Sequence, residues 1–297
     1  MRSHAIQTGT VAITQNWRRG KGHGSIRRLN TLLDRTWTEP LPIYAWVIEH
    51  PEGVIVVDSG ETASASQPGY FPGWQPYFRF AVKEWVRPEE EIGPQLRTLG
   101  MDPQHDVRWL VMTHLHTDHA GGLHHFAGVD TLVSRIEYAG AQGFRGQIVG
   151  YPNKRWPDAF APRLFDFADH SFGPFAQSFP LTRAGDIVLV PTPGHTRGHL
   201  SVIVQDGDRA VFLAGDTSYT QDLLLEQAPD GVGPDEAQEL DTHRRIVLFA
   251  EETPTVYLPT HDPASAERLA ERRVLPAAAV VAERREIGLE IGEETRA

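Results

Sequence analysis

Three imidazoles and one carboxylate fall within six residues of this 297-residue chain, in the run Thr113-His114-Leu115-His116-Thr117-Asp118-His119-Ala120-Gly121-Gly122. Imidazole nitrogens and carboxylate oxygens are donors that a borderline divalent cation such as zinc accepts. One ion cannot take all four groups from so short a segment. The turn must aim His114 and His116 one way and Asp118 and His119 another, which implies two metals. Two ions need further donors, and the chain supplies them. His195 lies in Pro193-Gly194-His195-Thr196-Arg197-Gly198-His199, Asp216 in Ala214-Gly215-Asp216-Thr217-Ser218-Tyr219, and His261 in Leu258-Pro259-Thr260-His261-Asp262. Each stands where an apolar strand candidate runs into a glycine- or proline-rich loop, a rigid place for a ligand. A chance cluster of histidines on a solvated loop would lack such companions. Cysteine is absent and histidine numbers 14, so thiolates and disulfides are excluded and His, Asp or Glu must hold any metal.

These positions require strands that deliver several side chains to one edge. Ile43 to Glu49 and Val54 to Val57, joined by Pro51-Glu52-Gly53, read as a β-hairpin. Val107 to Met112 and Thr131 to Ser134 read as buried strands, with a helix from about Arg135; a short helix over 89–100 ends at Gly100. Further strands are expected at 186–190, 200–205 and 210–214, the last two joined by Asp206-Gly207-Asp208. A helix over 234–251, a strand at 255–258 and a helix over 263–273 follow. Residues 61–87, with Tyr70, Phe71, Trp74, Tyr77, Phe78, Phe80 and Trp85, read as a long loop serving as a lid or binding element. Packing of core edges or of a dimer contact is the competing reading of those aromatics. Residues 144–180, with Trp156, Phe160, Phe165, Phe167, Phe172 and Phe175, form a second irregular insertion. Strands in series with interspersed helices, without clean alternation, suggest an α/β protein of sheets covered by helices. One domain over 1–281 is expected, with a charged tail at 282–297.

The HxHxDH motif with the later His195, Asp216 and His261 resembles the metallo-β-lactamase superfamily over roughly residues 40–275. That resemblance implies an αβ/βα four-layer sandwich: two mixed β-sheets face to face, helices outside, metals at one edge. It implies that His114, His116 and His195 hold a first divalent ion and Asp118, His119 and His261 a second, with Asp216 bridging; zinc is the expected metal. It also implies that Asp58, in Val57-Asp58-Ser59-Gly60, orients a metal-bound histidine. Within the superfamily the chain is similar to N-acyl homoserine lactone lactonases. Pro42-Ile43-Tyr44-Ala45-Trp46, the Pro51-Glu52-Gly53 hairpin, His114 to Gly122, Pro193 to Leu200, and Gly215-Asp216-Thr217-Ser218-Tyr219-Thr220 carry that similarity. The Asp216-x-x-Tyr219 unit discriminates most, because those lactonases use a tyrosine beside the substrate carbonyl. The 76-residue gap from His119 to His195 departs from the pattern and places an insertion near 144–180. Both insertions are expected to border the pocket. The implied reaction is opening of a lactone ring by a metal-bridging hydroxide, with Tyr219 stabilising the oxyanion and Asp118 passing a proton to the leaving oxygen.

Composition bounds the alternatives. Lys plus Arg is 28 and Asp plus Glu is 39, a net charge of −11, which disfavours nucleic acid as a partner. The locally basic group Arg18, Arg19, Lys21, Arg27 and Arg28 reads as a solvated face or loop. No apolar run approaches the roughly 20 residues that span a bilayer, and the N-terminus lacks the apolar core of a signal peptide. A cytoplasmic protein without a membrane partner is expected, with a homodimer as the candidate assembly. Competing functions are a thioesterase like glyoxalase II, a phosphodiesterase, or a β-lactamase of the cysteine-free kind on the same site. A one-iron oxidoreductase resembling persulfide dioxygenases is disfavoured by the seven-ligand set. Flavodiiron-type enzymes place a glutamate where this chain has His116. His199 is expected to make a structural hydrogen bond, and His124 and His125 to be packing or surface residues.

Overall fold

A computed structural model describes residues 1–276, so the expected domain end at 281 and the charged tail 282–297 lie outside the described residues. The strands are β1 (Arg2–Ile13), β2 (Leu41–His50), β3 (Gly53–Val57), β4 (Val82–Trp85), β5 (Val107–Val111), β6 (Asp130–Ser134), β7 (Arg163–Phe165), β8 (Phe179–Pro180), β9 (Ile187–Pro191), β10 (Leu200–Asp206), β11 (Arg209–Gly215) and β12 (Thr255–Pro259). The helices are α1 (Gln15–Arg18), α2 (Gly24–Leu33), α3 (Pro76–Phe80), α4 (Ile92–Thr98), α5 (Thr117–Ala120), α6 (Arg135–Ala141), α7 (Gly143–Ile148), α8 (Gln221–Leu225), α9 (Glu236–Glu252) and α10 (Ser265–Glu271). They build two sheets, seven strands in the order β4-β1-β2-β3-β5-β6-β7 and five in the order β12-β11-β10-β9-β8. Both are mixed: β3, β5, β6 and β7 run parallel, as do β11 and β12, while the remaining neighbours are antiparallel.

Strand side chains alternate between faces, and here both faces of each sheet are covered, so the central strands are apolar without a break. From β2, Tyr44, Trp46 and Ile48 point between the sheets, where they meet Leu189, Val202, Leu213 and Leu258 of the second sheet. The alternate residues Ala45 and Val47 pack outward with Ile92 and Leu96 of α4. On the far side, Val190, Ile203, Phe212 and Tyr257 pack against Ile246, Val247 and Phe249 of α9. The result is the four-layer αβ/βα sandwich. Burying each such aliphatic side chain contributes roughly 1.5–3 kcal/mol. No helix among the described residues is long and apolar enough to cross a membrane.

Three expectations need correction. The segment 61–87 is not one long loop: it contains α3 and β4, and β4 pairs with β1 from Thr10 to Ile13. Strand β1, which the sequence pattern did not signal, supplies the edge that β4 needs. The 144–180 insertion does border the cavity lined by His116, Asp118 and His195, through Val149 and Gly150, but its aromatics from Trp156 to Phe175 do not line it; Trp156 and Phe160 pack on the α4 side, Phe165 and Phe167 between the sheets, and Phe172 and Phe175 on the α9 side. Arg27 is not solvated. It is 1% exposed and donates to the Gly233 carbonyl at 2.8 Å and to Glu239 at 3.4 Å, because α2 lies against the 229–233 loop.

Candidate metal centre

The strands deliver their ends to one rim of the sandwich. β5 runs into the loop carrying His114 and His116, and α5 follows with Asp118 and His119. His195 stands in the loop between β9 and β10, Asp216 directly after β11, and His261 two residues beyond the end of β12. Gly215 shows why the rim closes so tightly. Its φ of +58° suits glycine, and a Cβ there would lie 2.5 Å from Nε2 of His199. That nitrogen accepts the Asp216 N–H at 3.0 Å, so His199 fixes the backbone that presents Asp216. Gly121 is constrained likewise, since a Cβ would meet the Glu61 carboxylate at 2.0 Å.

All seven sequence-expected donors converge. His114 Nε2 lies 3.1 Å from His116 Nδ1, which lies 3.0 Å from His195 Nε2. His261 Nε2 lies 3.3 Å from Asp118 Oδ2, and His119 Nε2 lies 3.9 Å from Asp118 Oδ1. Asp216 sits between the two groups, 3.3 Å from His119, 3.5 Å from His195 and 3.4 Å from His261. His114, His116 and His195 could hold one cation, and Asp118, His119 and His261 another, with Asp216 reaching both. The donor chemistry fits such ions. His119 Nε2 and Asp216 Oδ1 are buried without a hydrogen-bond partner, and nitrogens of His114, His116 and His195 face one another at about 3 Å with no acceptor between them. Cations answer both features.

The outward ring nitrogens are each anchored. Asp58 adopts φ +61°, a conformation rare outside glycine. Its carboxylate accepts from His119 Nδ1 at 2.8 Å and from the Thr113 N–H and hydroxyl, both at 2.7 Å. With its hydroxyl proton on Asp58, Thr113 accepts from His114 Nδ1 at 3.1 Å. His195 Nδ1 donates to Asp230 at 2.5 Å, and His261 Nδ1 to the Pro42 carbonyl at 2.9 Å. These contacts fix tautomers, so that Nε2 of His114, His119, His195 and His261 faces inward. His116 instead offers Nδ1, its ring lying over Tyr151 with centroids 4.8 Å apart.

Burial and the carboxylates set the electrostatics. Burial, aided by the charge of neighbouring histidines, holds His114 well below the usual imidazole range and brings His116 to about 3. At His195 the cost of burial is outweighed by Asp230 and Asp216, raising it to about 9; at His261 Asp216 and Asp118 raise it to about 10. Asp216 is held well below the carboxylate range because His261 and His119 overcome its burial. Burial and the Asp216 charge keep the Tyr219 phenol well above its usual value, hence protonated.

Tyr219 is 4% exposed, stacks on His261 at 5.4 Å between centroids and lines a narrow cavity with His116, Asp118, His195 and Asp216. Of the lid aromatics, Tyr77 and Phe78 line this cavity, whereas Trp74 stands outside it, beside a second cavity of about 320 Å³ that Phe78 also borders. His124 and His125 share the Glu91 carboxylate, at 3.1 and 2.6 Å. Sequence reasoning missed Trp17, which donates to Tyr219, and Asp230, whose Pro229-Asp230-Gly231 setting reads as an ordinary turn. It also missed Glu137, which accepts from the Leu115 N–H and the Thr196 hydroxyl and ties the two histidine loops together.

This rim and sandwich define the class. The Lactamase_B family model, the metallo-beta-lactamase superfamily, matches residues 38–281, and the chain belongs to that superfamily. An N-acyl homoserine lactonase from Bacillus sp is 29% identical over 223 residues, covering 73% of this chain and 80% of its own length. Among solved structures, an N-acyl homoserine lactone hydrolase with N-hexanoyl-L-homoserine bound at its catalytic metal centre superposes with a TM-score of 0.73, at 22% identity over 92% of this chain and 97% of that one. AidC, a dizinc quorum-quenching lactonase, superposes with a TM-score of 0.58 at 14% identity, over 88% and 87% of the two chains.

Proposed function

We propose that the protein is a two-metal hydrolase that opens lactone rings, with N-acyl homoserine lactones as the leading substrates and quorum quenching as the outcome. His114, His116 and His195 would hold one ion, Asp118, His119 and His261 the other, and Asp216 both; zinc is the proposed metal. The observation that carries the lactonase reading is Tyr219, buried beside the converging donors, stacked on His261, and kept protonated by its surroundings. The Bacillus relative's activity and the homoserine product bound in the solved neighbour support the same substrate class.

When bound, two divalent cations supply acidified water at neutral pH and a Lewis acid for a carbonyl oxygen. The chain's own groups do the rest. Tyr219, as a neutral donor, binds the substrate oxygen that gains charge as the ester is attacked. Asp118, at the cavity wall, can carry a proton to the leaving oxygen. Tyr77, Phe78 and Val82 exclude water on the acyl side, and an alkyl chain buried there gains about 0.8 kcal/mol per methylene. The negative surface leaves a neutral lactone unopposed and works against an anionic phosphodiester.

A panel of lactones of graded acyl length, thioesters, phosphodiesters and β-lactams against metal-loaded protein tests the reading. The expected result is fastest turnover of acyl homoserine lactones, with kcat/KM rising with chain length until the pocket fills. Faster cleavage of any other class would leave only the two-metal hydrolase.

A further inference from the structure

We infer that Trp17 is a positioning residue that fixes the direction of the Tyr219 hydroxyl, making the N-terminal segment part of the reaction centre. The inference rests on the role proposed above for Tyr219. An indole nitrogen can only donate. Trp17 Nε1 lies 2.6 Å from the Tyr219 oxygen, so that oxygen accepts and its own proton must point elsewhere. The hydroxyl has no other hydrogen-bond partner among the described residues, and both side chains line the same cavity. The proton is therefore directed toward whatever oxygen occupies that cavity. Without the indole, the phenolic O–H is free to rotate about its C–O bond and turn toward the carboxylates of Asp216 or Asp118, which share the cavity wall. A proton spent there is lost to the substrate.

Trp17 is itself held firmly. Its N–H donates to the Thr14 carbonyl at 3.0 Å, its carbonyl accepts the Gly231 N–H at 2.7 Å, and its ring meets Tyr77 edge-on at 5.2 Å. The Gly20 N–H donates to the Pro229 carbonyl at 2.8 Å. Between those two clamped residues lies Asp230, the partner of His195. One short loop thus connects the N-terminal segment to a metal-facing histidine, while the indole connects it to the tyrosine. The superfamily match begins at residue 38, so Trp17 lies outside the matched region while Tyr219 and Asp230 lie within it.

The test is a double-mutant cycle on metal-loaded protein with an N-acyl homoserine lactone as substrate. Trp17→Phe keeps an aromatic ring and removes the donor. It is expected to lower kcat about three- to tenfold, the size of one neutral hydrogen bond, with KM within about twofold and metal content unchanged. In a Tyr219→Phe background the same change is expected to have no further effect. Replacing Trp17 by benzothienylalanine, which swaps the N–H for sulfur while keeping the ring outline, should reproduce the kcat loss and guards against a packing defect in Trp17→Phe. Wild-type kcat in the benzothienylalanine protein, or losses that add in the double variant, would overturn the inference while leaving Tyr219 in its role. A silent Tyr219→Phe would overturn the role of Tyr219 and this inference together.

Discussion

The two sheets contribute to the same centre in opposite ways. The seven-stranded sheet sends four donors, His114, His116, Asp118 and His119, from one continuous stretch after β5. The five-stranded sheet sends His195, Asp216 and His261 from three separate strand ends. Their supports differ accordingly. Asp58 alone anchors both His119 and, through Thr113, His114. On the other side each donor has its own support: Asp230 for His195, His199 for the Asp216 backbone, the Pro42 carbonyl for His261. Donors that share an anchor should fail together, and donors with separate anchors should fail singly.

Asp216→Ala is the most severe break, because this carboxylate is the one donor that reaches both groups. Loss of both metals and essentially all turnover is expected; elemental analysis showing one firmly held ion with activity intact would end the two-ion picture. Asp58→Asn and Asp230→Asn sharpen the contrast. Loss of such an orienting carboxylate typically costs 10- to 100-fold in metal affinity. Stepwise competition with a chelator should show both ions weakened by Asp58→Asn and one ion weakened by Asp230→Asn. Equal profiles for the two variants would refute the shared-anchor argument.

The smallest expected effect is on stability against pH, measured by urea unfolding of chelator-treated protein. On the five-strand side, burial lowers His243 of α9, which donates to the Thr217 carbonyl, to about 4. Its depressed value means that unfolded chains bind the extra proton, so stability present above about 6.5 is lost as pH falls toward 4. On the seven-strand side, burial raises Glu61, which accepts from the Thr117 hydroxyl, to about 8. An acid held protonated in the fold does the reverse: stability present below the ordinary carboxyl value is lost as pH climbs to 8. Glu61→Gln should reduce the alkaline loss and His243→Gln the acid loss, with the metal-facing histidines and Glu84 supplying the remainder. A slope unchanged by either variant would show that the corresponding group does not carry it.

Legibility followed the same division. The donors after β5 could be read because their spacing is local, and His195, Asp216 and His261 because strand ends carry recognisable glycine and proline punctuation. Sheets covered by helices were legible from the apolar strands, whereas the four-layer sandwich came from the resemblance to the superfamily. Trp17, Asp230 and Glu137 were not legible, because each acts across long sequence separations and sits in a setting, such as a Pro-Asp-Gly turn or a short helix, that has an ordinary local explanation. The aromatics from Trp156 to Phe175 misled for a related reason: composition reveals that a segment will bury rings, but not which layer will receive them.

The outer strands of the two sheets bear on self-association. β4, β7 and β8 have four, three and two residues. Where β4 stops, Gln95 of α4 donates to the Gln7 carbonyl of β1 at 2.8 Å. Along β12 the Tyr257 carbonyl accepts from Arg268 at 3.1 Å and the Thr255 carbonyl from the Leu275 N–H at 2.8 Å. Long unpaired strand edges are what template cross-chain ladders, domain swapping and fibrils. Among the described residues β4, β7 and β8 are short and two β12 carbonyls are taken up within the chain, so these margins leave a neighbouring copy little backbone to extend. Association across those margins would rest on side chains rather than on a shared strand ladder.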